Sequence, residues 1–402
     1  MGLILKTFIF VLFCNVVLAQ TLQNKTNFDY KRSSLYSVLI NNTQQKYSKE
    51  IAQVFANMPT PDKYNNHDLE IKTVDGVLGK SAFGVSNDFL ASNNIASRLV
   101  DKWYNRDSKT GRCDMSLIAQ RGLYDAREIE KAIAQMSSLG MANIKDAGEQ
   151  LIANTFVLMN DVEYVDHSYK GKTLGLALYL AGAITSAATG EEIYSDIGQI
   201  AAVTAGSLKG FRVKITTYLY KLEWNDTIQA KFNTQWYSDR DDIEKVRSYE
   251  ENRSQFSLKY IGCQISKAND ISVVGVNLEH PQMMIRKACQ RSLDENISDL
   301  QKNFEEFRVK VPLLSTEPLA ADIGLKDGVS KRSKYEVLEI YEDGGETKYK
   351  RVGKIVPQKD KIWDNRYMSL EENAKNSNLG KTYFKKKRKG KFYPGMLIRE
   401  IR

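Results

Sequence analysis

Two periods of apolar residues organise this chain. Residues 154–166, NTFVLMNDVEYVD, alternate through Phe156, Leu158, Asn160, Val162 and Tyr164, which predicts a half-buried strand, and FRVKITTYLYKLEWN at 211–225 alternates again. LEIKTV (69–74), DMSLIAQR (114–121), QFSLKYIGCQ (255–264), DISVVGVN (270–277) and EFRVKVP (306–312) are further strand candidates. Helical spacing runs through Ile95, Leu99 and Trp103 behind a cap at Ser92 or Asn93. It recurs from about Ala126 through Ile129, Ile133, Met136, Ile144 and Leu151, with a break at Gly140. A third stripe of Ile285, Cys289, Leu293, Ile297, Leu300 and Phe304 follows Pro281, a favoured first-turn residue. The order strand, helix, strand, helix, strand predicts an α/β domain with a mixed sheet.

The ends of the chain differ from this middle. Residues 1–19 carry Lys6, the apolar run TFIFVLFCNVVLA and a small residue, Ala19, before Gln20, as a secretory signal peptide does. Cys14 follows Phe13 rather than a small residue, so cleavage after Ala19 is expected in preference to lipidation, and the run is short of the ~20 residues of a spanning helix. Residues 20–68 are rich in Asn, Gln, Lys and Tyr and read as a loosely ordered lead-in with one helix around YSKEIAQVFANM. At the other end PLLSTEP (312–318) reads as a linker. In 319–402, YEVLEIYE and TKYKRVGKIV form a hairpin about a Gly-containing turn, TYFKKKRKGKFYPGMLIREI forms a second, and a small SH3-like barrel suits the size. The α/β domain then occupies 69–311.

Between the strands at 154–166 and 211–225 lies an Ala/Gly-rich insertion, 171–210, which contains TLGLALYLAGAITSAATG, 18 residues without a charge. Leu176, Leu180, Ile184 and Ala187 make a helical stripe, and Leu and Ala favour a helix. Leu174, Leu176, Leu178 and Leu180 also alternate as in a membrane strand, and both readings stay open. Leu174, Leu176, Leu178, Leu180 and Ile184 are therefore the candidate contacts with a membrane or a partner.

The formal charge of +9 is concentrated in the tail, where residues 375–402 hold ten Lys or Arg against Glu400. Lys385, Lys386, Lys387, Arg388 and Lys389, flanked by Tyr383, Phe384, Phe392 and Tyr393, are candidates for contact with an anionic surface. In an exported chain that surface is an envelope polymer or lipid head groups rather than nucleic acid.

Catalytic motifs are missing. GK[ST] occurs at Gly79, Gly171 and Gly380, but the first glycine of a phosphate loop is replaced by Val74, Asp166 and Lys375. The three histidines, His67, His167 and His280, lie in no metal motif, and Cys113, Cys263 and Cys289 show no CxxC spacing. SDRDD at 238–242 lacks the rhythm of a calcium loop. No cofactor, metal or enzyme activity is expected.

The segments ASRLVDKWY, DMSLIAQR, GEQLIANTFVLMNDVEYVD, FRVKITTYLYKLEW and IRKACQRSLDENI together resemble, over about residues 69–311, the α/β domain shared by the curli-production pore family, the flagellar assembly protein T family and the amino-terminal domain of TolB. In the pore family a membrane hairpin interrupts the corresponding strand pair, where this chain carries its apolar block. IGLKDGVSKRSKYEVLEIYE through VGKIV resembles the carboxy-terminal barrel of the flagellar family. The poor lipobox and the Ala/Gly content of the insertion depart from a pore. The resemblance implies a non-enzymatic, oligomeric component of a bacterial-type envelope, periplasmic or outer-membrane-associated, that binds envelope proteins or itself. The alternatives are a membrane-embedded secretion pore that uses 171–210, and a hydrolase of envelope polymers, which needs two carboxylates in one cleft.

Overall fold

The computed structural model describes residues 33–125, 151–166, 208–273, 281–343, 346–387 and 390–401. They build a mixed α/β sheet domain and a closed antiparallel barrel.

The sheet is founded on β1 (Ser33–Asn41), from the stretch expected to be loosely ordered. Its burial explains the correction. Leu35 and Leu39 enter the core on one face while Tyr36, Val38 and Ile40 enter it on the other, so SSLYSVLIN does not alternate as a half-exposed strand would. Helix α1 (Ser48–Ala56) follows, as its sequence predicts, and buries Ile51 and Phe55. The short strands β2 (Tyr64–Asn66) and β3 (Thr73–Asp75) both lie parallel to β1, one along each half of the same edge. The strand expected at 69–74 is thus reduced to its end.

GKS at 79–81 begins a helix. Ser81 caps α2 (Ala82–Ser92), its Oγ accepting from the Gly84 N–H at 3.1 Å. Helix α3 (Ile95–Trp103) buries Ile95, Leu99 and Trp103 as expected, although its cap is Asn94, in a left-handed conformation. DMSLIAQR is helical rather than extended: the Asp114 carboxylate accepts from the Ser116 N–H at 2.8 Å and starts α4 (Ser116–Asp125). The helix expected from Ala126 lies outside the described residues except for Leu151, which is buried.

The strands on either side of the insertion form as predicted. β4 (Thr155–Asp166) runs parallel to β1 and antiparallel to β5 (Leu208–Leu222). It is buried on both faces as far as Asn160, because α2 and α3 cover one side and α1 and the later helix α7 the other. Two short helices, α5 (Asp226–Lys231) and α6 (Ile243–Glu251), are capped by the Asn225 and Asp242 side chains, which gives the acidic run at 238–242 a capping role. They enclose an aromatic cluster of Trp103, Tyr104, Trp224, Phe232, Trp236, Tyr249 and Phe256. The strand expected at 255–264 and the start of the one expected at 270–277 are one, β6 (Leu258–Val273), paired with β5 along its length; residues 274–277 lie outside the described residues. The sheet order is β2-β1-β4-β5-β6.

Helix α7 (Pro281–Asn303) starts at its proline and lays Ile285, Cys289, Leu293, Ile297 and Leu300 against the sheet. EFRVKVP is strand only in its last two residues, Val311 and Pro312, while residues 305–307 make a single turn of 3-10 helix. PLLSTEP, expected as a linker, supplies most of β7 (Val311–Thr316), the first barrel strand, followed by β8 (Leu319–Ala321). The expected hairpin is β9 (Tyr335–Asp343) with β10 (Glu346–Pro357). Among the described residues the second hairpin does not form. β11 (Thr382–Lys386) pairs with β10 and β8, and β12 (Leu397–Glu400) with β7 and β9, which closes the order β10-β11-β8-β7-β12-β9. Leu313, Val337, Ile355, Phe384, Phe392 and Ile398 fill the barrel.

Candidate functional site

The first candidate is the end of the sheet from which the insertion departs. The β4–β5 register continues without a break to Asp166 opposite Phe211, and β5 begins three residues earlier, with Leu208 opposite Val273 of β6. Leu208–Gly210 therefore belong to the sheet rather than to the insertion. The chain leaves β4 and re-enters β5 at the same end of a ladder whose 15- and 16-residue strands are about 50 Å long. That end is braced. The Gln45 side chain donates to Val162 O at 2.9 Å and accepts from the Tyr164 N–H at 3.0 Å, continuing the bonding of β4 beyond its pairing with β1. Tyr47 packs edge-on to Tyr164 at 5.2 Å, and Glu163 pairs across the strands with Lys214 at 2.7 Å. Leu174, Leu176, Leu178, Leu180 and Ile184 lie outside the described residues. Among the described residues no helix is long and apolar enough to cross a membrane.

The second candidate is the basic run. Lys385, Lys386 and Lys387 are exposed, while Arg388 and Lys389 lie outside the described residues. Lys385 and Lys386 sit in β11 opposite Val356 and Ile355, and the Lys387 N–H donates to Lys354 O at 2.9 Å. The flanking aromatics divide by role. Phe384 and Phe392 belong to the barrel core, with the Lys386 ammonium 5.0 Å above the Phe392 ring, whereas Tyr393 is exposed. Lys385 and Lys386 thus stand on a barrel strand, with Lys387 directly after it.

A third site went unread in the sequence. The turn Leu325–Asp327 and the loop between β10 and β11 grip α7 from the barrel side. Lys287 and Arg291 of α7 both pair with Glu372, and Arg291 also donates to Tyr367 O at 2.9 Å. Gly328, at φ 75°, presses on the helix so closely that a Cβ there would lie 1.9 Å from Ser298 Oγ. Burial alone would raise the Asp327 carboxyl, but its ion pair with Lys63 at 2.8 Å and hydrogen bonds from Asn365 and the Gly324 N–H hold it below the usual range. Lys326 pairs with Asp62 at 3.0 Å.

Between these contacts sits Asp294, 7% exposed. One oxygen accepts from Gln290 Nε2 at 3.3 Å and the other has no partner. Burial pushes its carboxyl up to about 7, tempered by Lys326. Ser298 Oγ, one helical turn away, is also buried without a partner. Both residues border a cleft of about 490 Å³, which Arg291, Lys302, Lys326 and Arg366 also line. Burial and the neighbouring Asp299 raise Glu295 as well. Asp294 and Ser298 lie just off the apolar stripe of α7, where sequence alone places them at a solvated boundary. The barrel buries them.

The remaining motif residues that are described have structural places, while His167, Gly171 and His280 lie outside the described residues. Wholly buried His67 donates from Nε2 to Leu99 O at 2.9 Å and takes a hydrogen bond on Nδ1 from Arg121 at 2.8 Å; burial and that guanidinium lower its pKa well below 6.5. Arg121 stacks on Trp103 and donates to Ser34 and Asn66 O. In the GKT at 380–382, Thr382 Oγ1 accepts from the Trp363 N–H at 3.0 Å. Cys113, Cys263 and Cys289 are free thiols, and Cys263 is exposed. Among the described residues no three His, Cys, Asp or Glu side chains converge as a metal site. No protein-family model matches this chain, and no curated protein does.

Proposed function

We propose that this chain is an exported, non-enzymatic component of a bacterial-type cell envelope, periplasmic or outer-membrane-associated, which works in assembly by holding envelope proteins or further copies of itself. The insertion is its contact segment. The observation that carries this reading is the unbroken β4–β5 register to Asp166 and Phe211, by which a braced ladder offers up a segment with an 18-residue uncharged run. The leader at 1–19 supports export, and the mature chain starts at Gln20. Lys385–Lys389 add an electrostatic contact with anionic polymer or lipid head groups. In this reading the sheet domain is TolB-amino-terminal-like and the barrel SH3-like. A secretion pore is the second reading, favoured because the segment starts and ends on adjacent antiparallel strands, as a membrane hairpin must.

The register sets the test. It places Asp166 opposite Phe211, so replacing residues 167–210 by Asn-Gly closes the ladder with a two-residue turn. The shortened mature protein should unfold cooperatively and sediment as a monomer, while the full mature chain self-associates. Equal sedimentation of the two, or a shortened chain that cannot fold, refutes the reading.

A further inference from the structure

The sheet has one long open edge. The 16-residue β6 pairs with β5 along one side, and among the described residues no strand lies along the other. Every second residue of such a strand directs its N–H and C=O away from the sheet, which makes the edge a template for a further strand. The face beside this edge is apolar. Tyr260, Cys263 and Ile265 stand opposite Tyr220, Tyr218 and Thr216 and so share a face; all three are exposed, with the Phe83 ring of α2 4.9 Å from that of Tyr260. The register shift that leaves Ile261 without an opposite residue ends the regular part of the edge below Gly262.

The regular part, Cys263–Val273, has the sequence CQISKANDISV, whose apolar and polar positions read the same in both directions about Ala268. An antiparallel copy with Ala268 set against itself brings Ile265 opposite Ile271, Cys263 opposite Val273 and Lys267 opposite Asn269. Asp270 then faces Ser266, so no like charges meet. Centring on Lys267 would set that lysine against itself, and centring on Asn269 would set Lys267 against Ile271.

We propose that two copies of this chain join through β6, antiparallel about Ala268, once the insertion has gathered them, an inference that rests on the assembly reading above. A two-fold axis normal to the sheet generates this pairing and keeps the exposed apolar faces of both copies on one side. The register brings the Leu208 start of each β5 level with Cys263 of the other copy. Each insertion therefore leaves its ladder beside the exposed Tyr260 and Phe83 of the other copy. The two insertions depart in opposite directions, and one membrane surface does not receive both.

Disulfide trapping in the full mature chain tests the register. In a Cys263→Ser background, where the remaining thiols Cys113 and Cys289 are buried, Ala268→Cys should give a covalent dimer on mild oxidation, since facing residues of an antiparallel pair lie within disulfide reach. Ile265→Cys, ~20 Å from its own counterpart, should give none, and adding Ile271→Cys to it should restore the dimer. In sedimentation, Asn269→Asp, which faces Lys267 twice per dimer, should tighten association several-fold, and Asn269→Lys should weaken it several-fold. Equal trapping by Ala268→Cys and Ile265→Cys, no trapping by Ala268→Cys, or equal association of the two Asn269 variants overturns the proposal; the role of the insertion then still stands if the chain shortened at 167–210 is monomeric. A shortened chain that Ala268→Cys still traps keeps the β6 register and refutes the role of the insertion instead.

Discussion

Asp294→Asn should stabilise this protein, and only at neutral and alkaline pH. In the fold the Asp294 carboxyl titrates near 7 against an ordinary 3.8, chiefly because burial disfavours its charge. A carboxyl raised in this way costs stability when ionised. Between about pH 4 and pH 7 the unfolded chain gives up the proton more readily than the folded one, so stability falls as pH rises through that window and then levels. The difference between 3.8 and about 7 corresponds to roughly 4 kcal/mol at pH 8. Asparagine has nearly the same shape, can accept from Gln290 as Asp294 does, and never ionises. The variant should therefore differ from the native chain by about 1 kcal/mol or less at pH 4, where neither side chain is charged. At pH 8 it should be more stable by about 3–4 kcal/mol. Urea unfolding followed by tryptophan fluorescence, at unit steps from pH 4 to pH 8, yields that difference directly; the changes common to both proteins cancel. A difference that does not vary with pH, or a variant less stable than the native chain at pH 8, would refute the claim that Asp294 is a desolvated carboxyl in the folded protein.

Three further outcomes follow from the packing and the charges. Gly262→Ala places a Cβ 2.2 Å from the Phe304 ring and should lower stability by about 1–3 kcal/mol in the same urea assay, with Phe304→Leu relieving part of the loss. His67 should stay neutral well below its ordinary 6.5, so its ring resonances should not titrate between pH 7.5 and pH 5.5; the stability tied to the neutral ring is present above 6.5 and is lost as pH falls below it. Changing Lys385, Lys386, Lys387, Arg388 and Lys389 to Gln should abolish salt-sensitive binding to anionic vesicles without shifting the unfolding midpoint, since each charge contributes about 1 kcal/mol at such a surface and screening removes it within ~8 Å; vesicle binding that ignores salt, or survives the substitution, would return the run to a solvated strand end.

Elements with a long, regular period were legible from sequence. α7, the β4–β5 pair and the β9–β10 hairpin form where the spacing predicts them, because one face of each is apolar along its length or a turn joins the two strands. The failures share a different cause. β1 is buried on both faces and so carries no alternation, and its parallel partner β4 lies 121 residues away, Thr155 opposite Ser34. SLIAQR is short enough to suit either period, and the Asp114 side chain decided for a helix. The proline-flanked PLLSTEP signals a break in sequence but joins the barrel through β12, which lies at the far end of the chain.

By itself the amino-acid sequence determined the local facts: the uncharged block and where it interrupts a strand pair, the basic tail, and the elements whose period is complete within themselves. Only the tertiary structure decided which strands became neighbours, that Lys385 and Lys386 stand on a barrel strand, and that Asp294 and Ser298 are buried. The reason is desolvation. A side chain's environment depends on what packs over it, and Asp294 is covered by a turn at 325–328, which no pattern within α7 encodes.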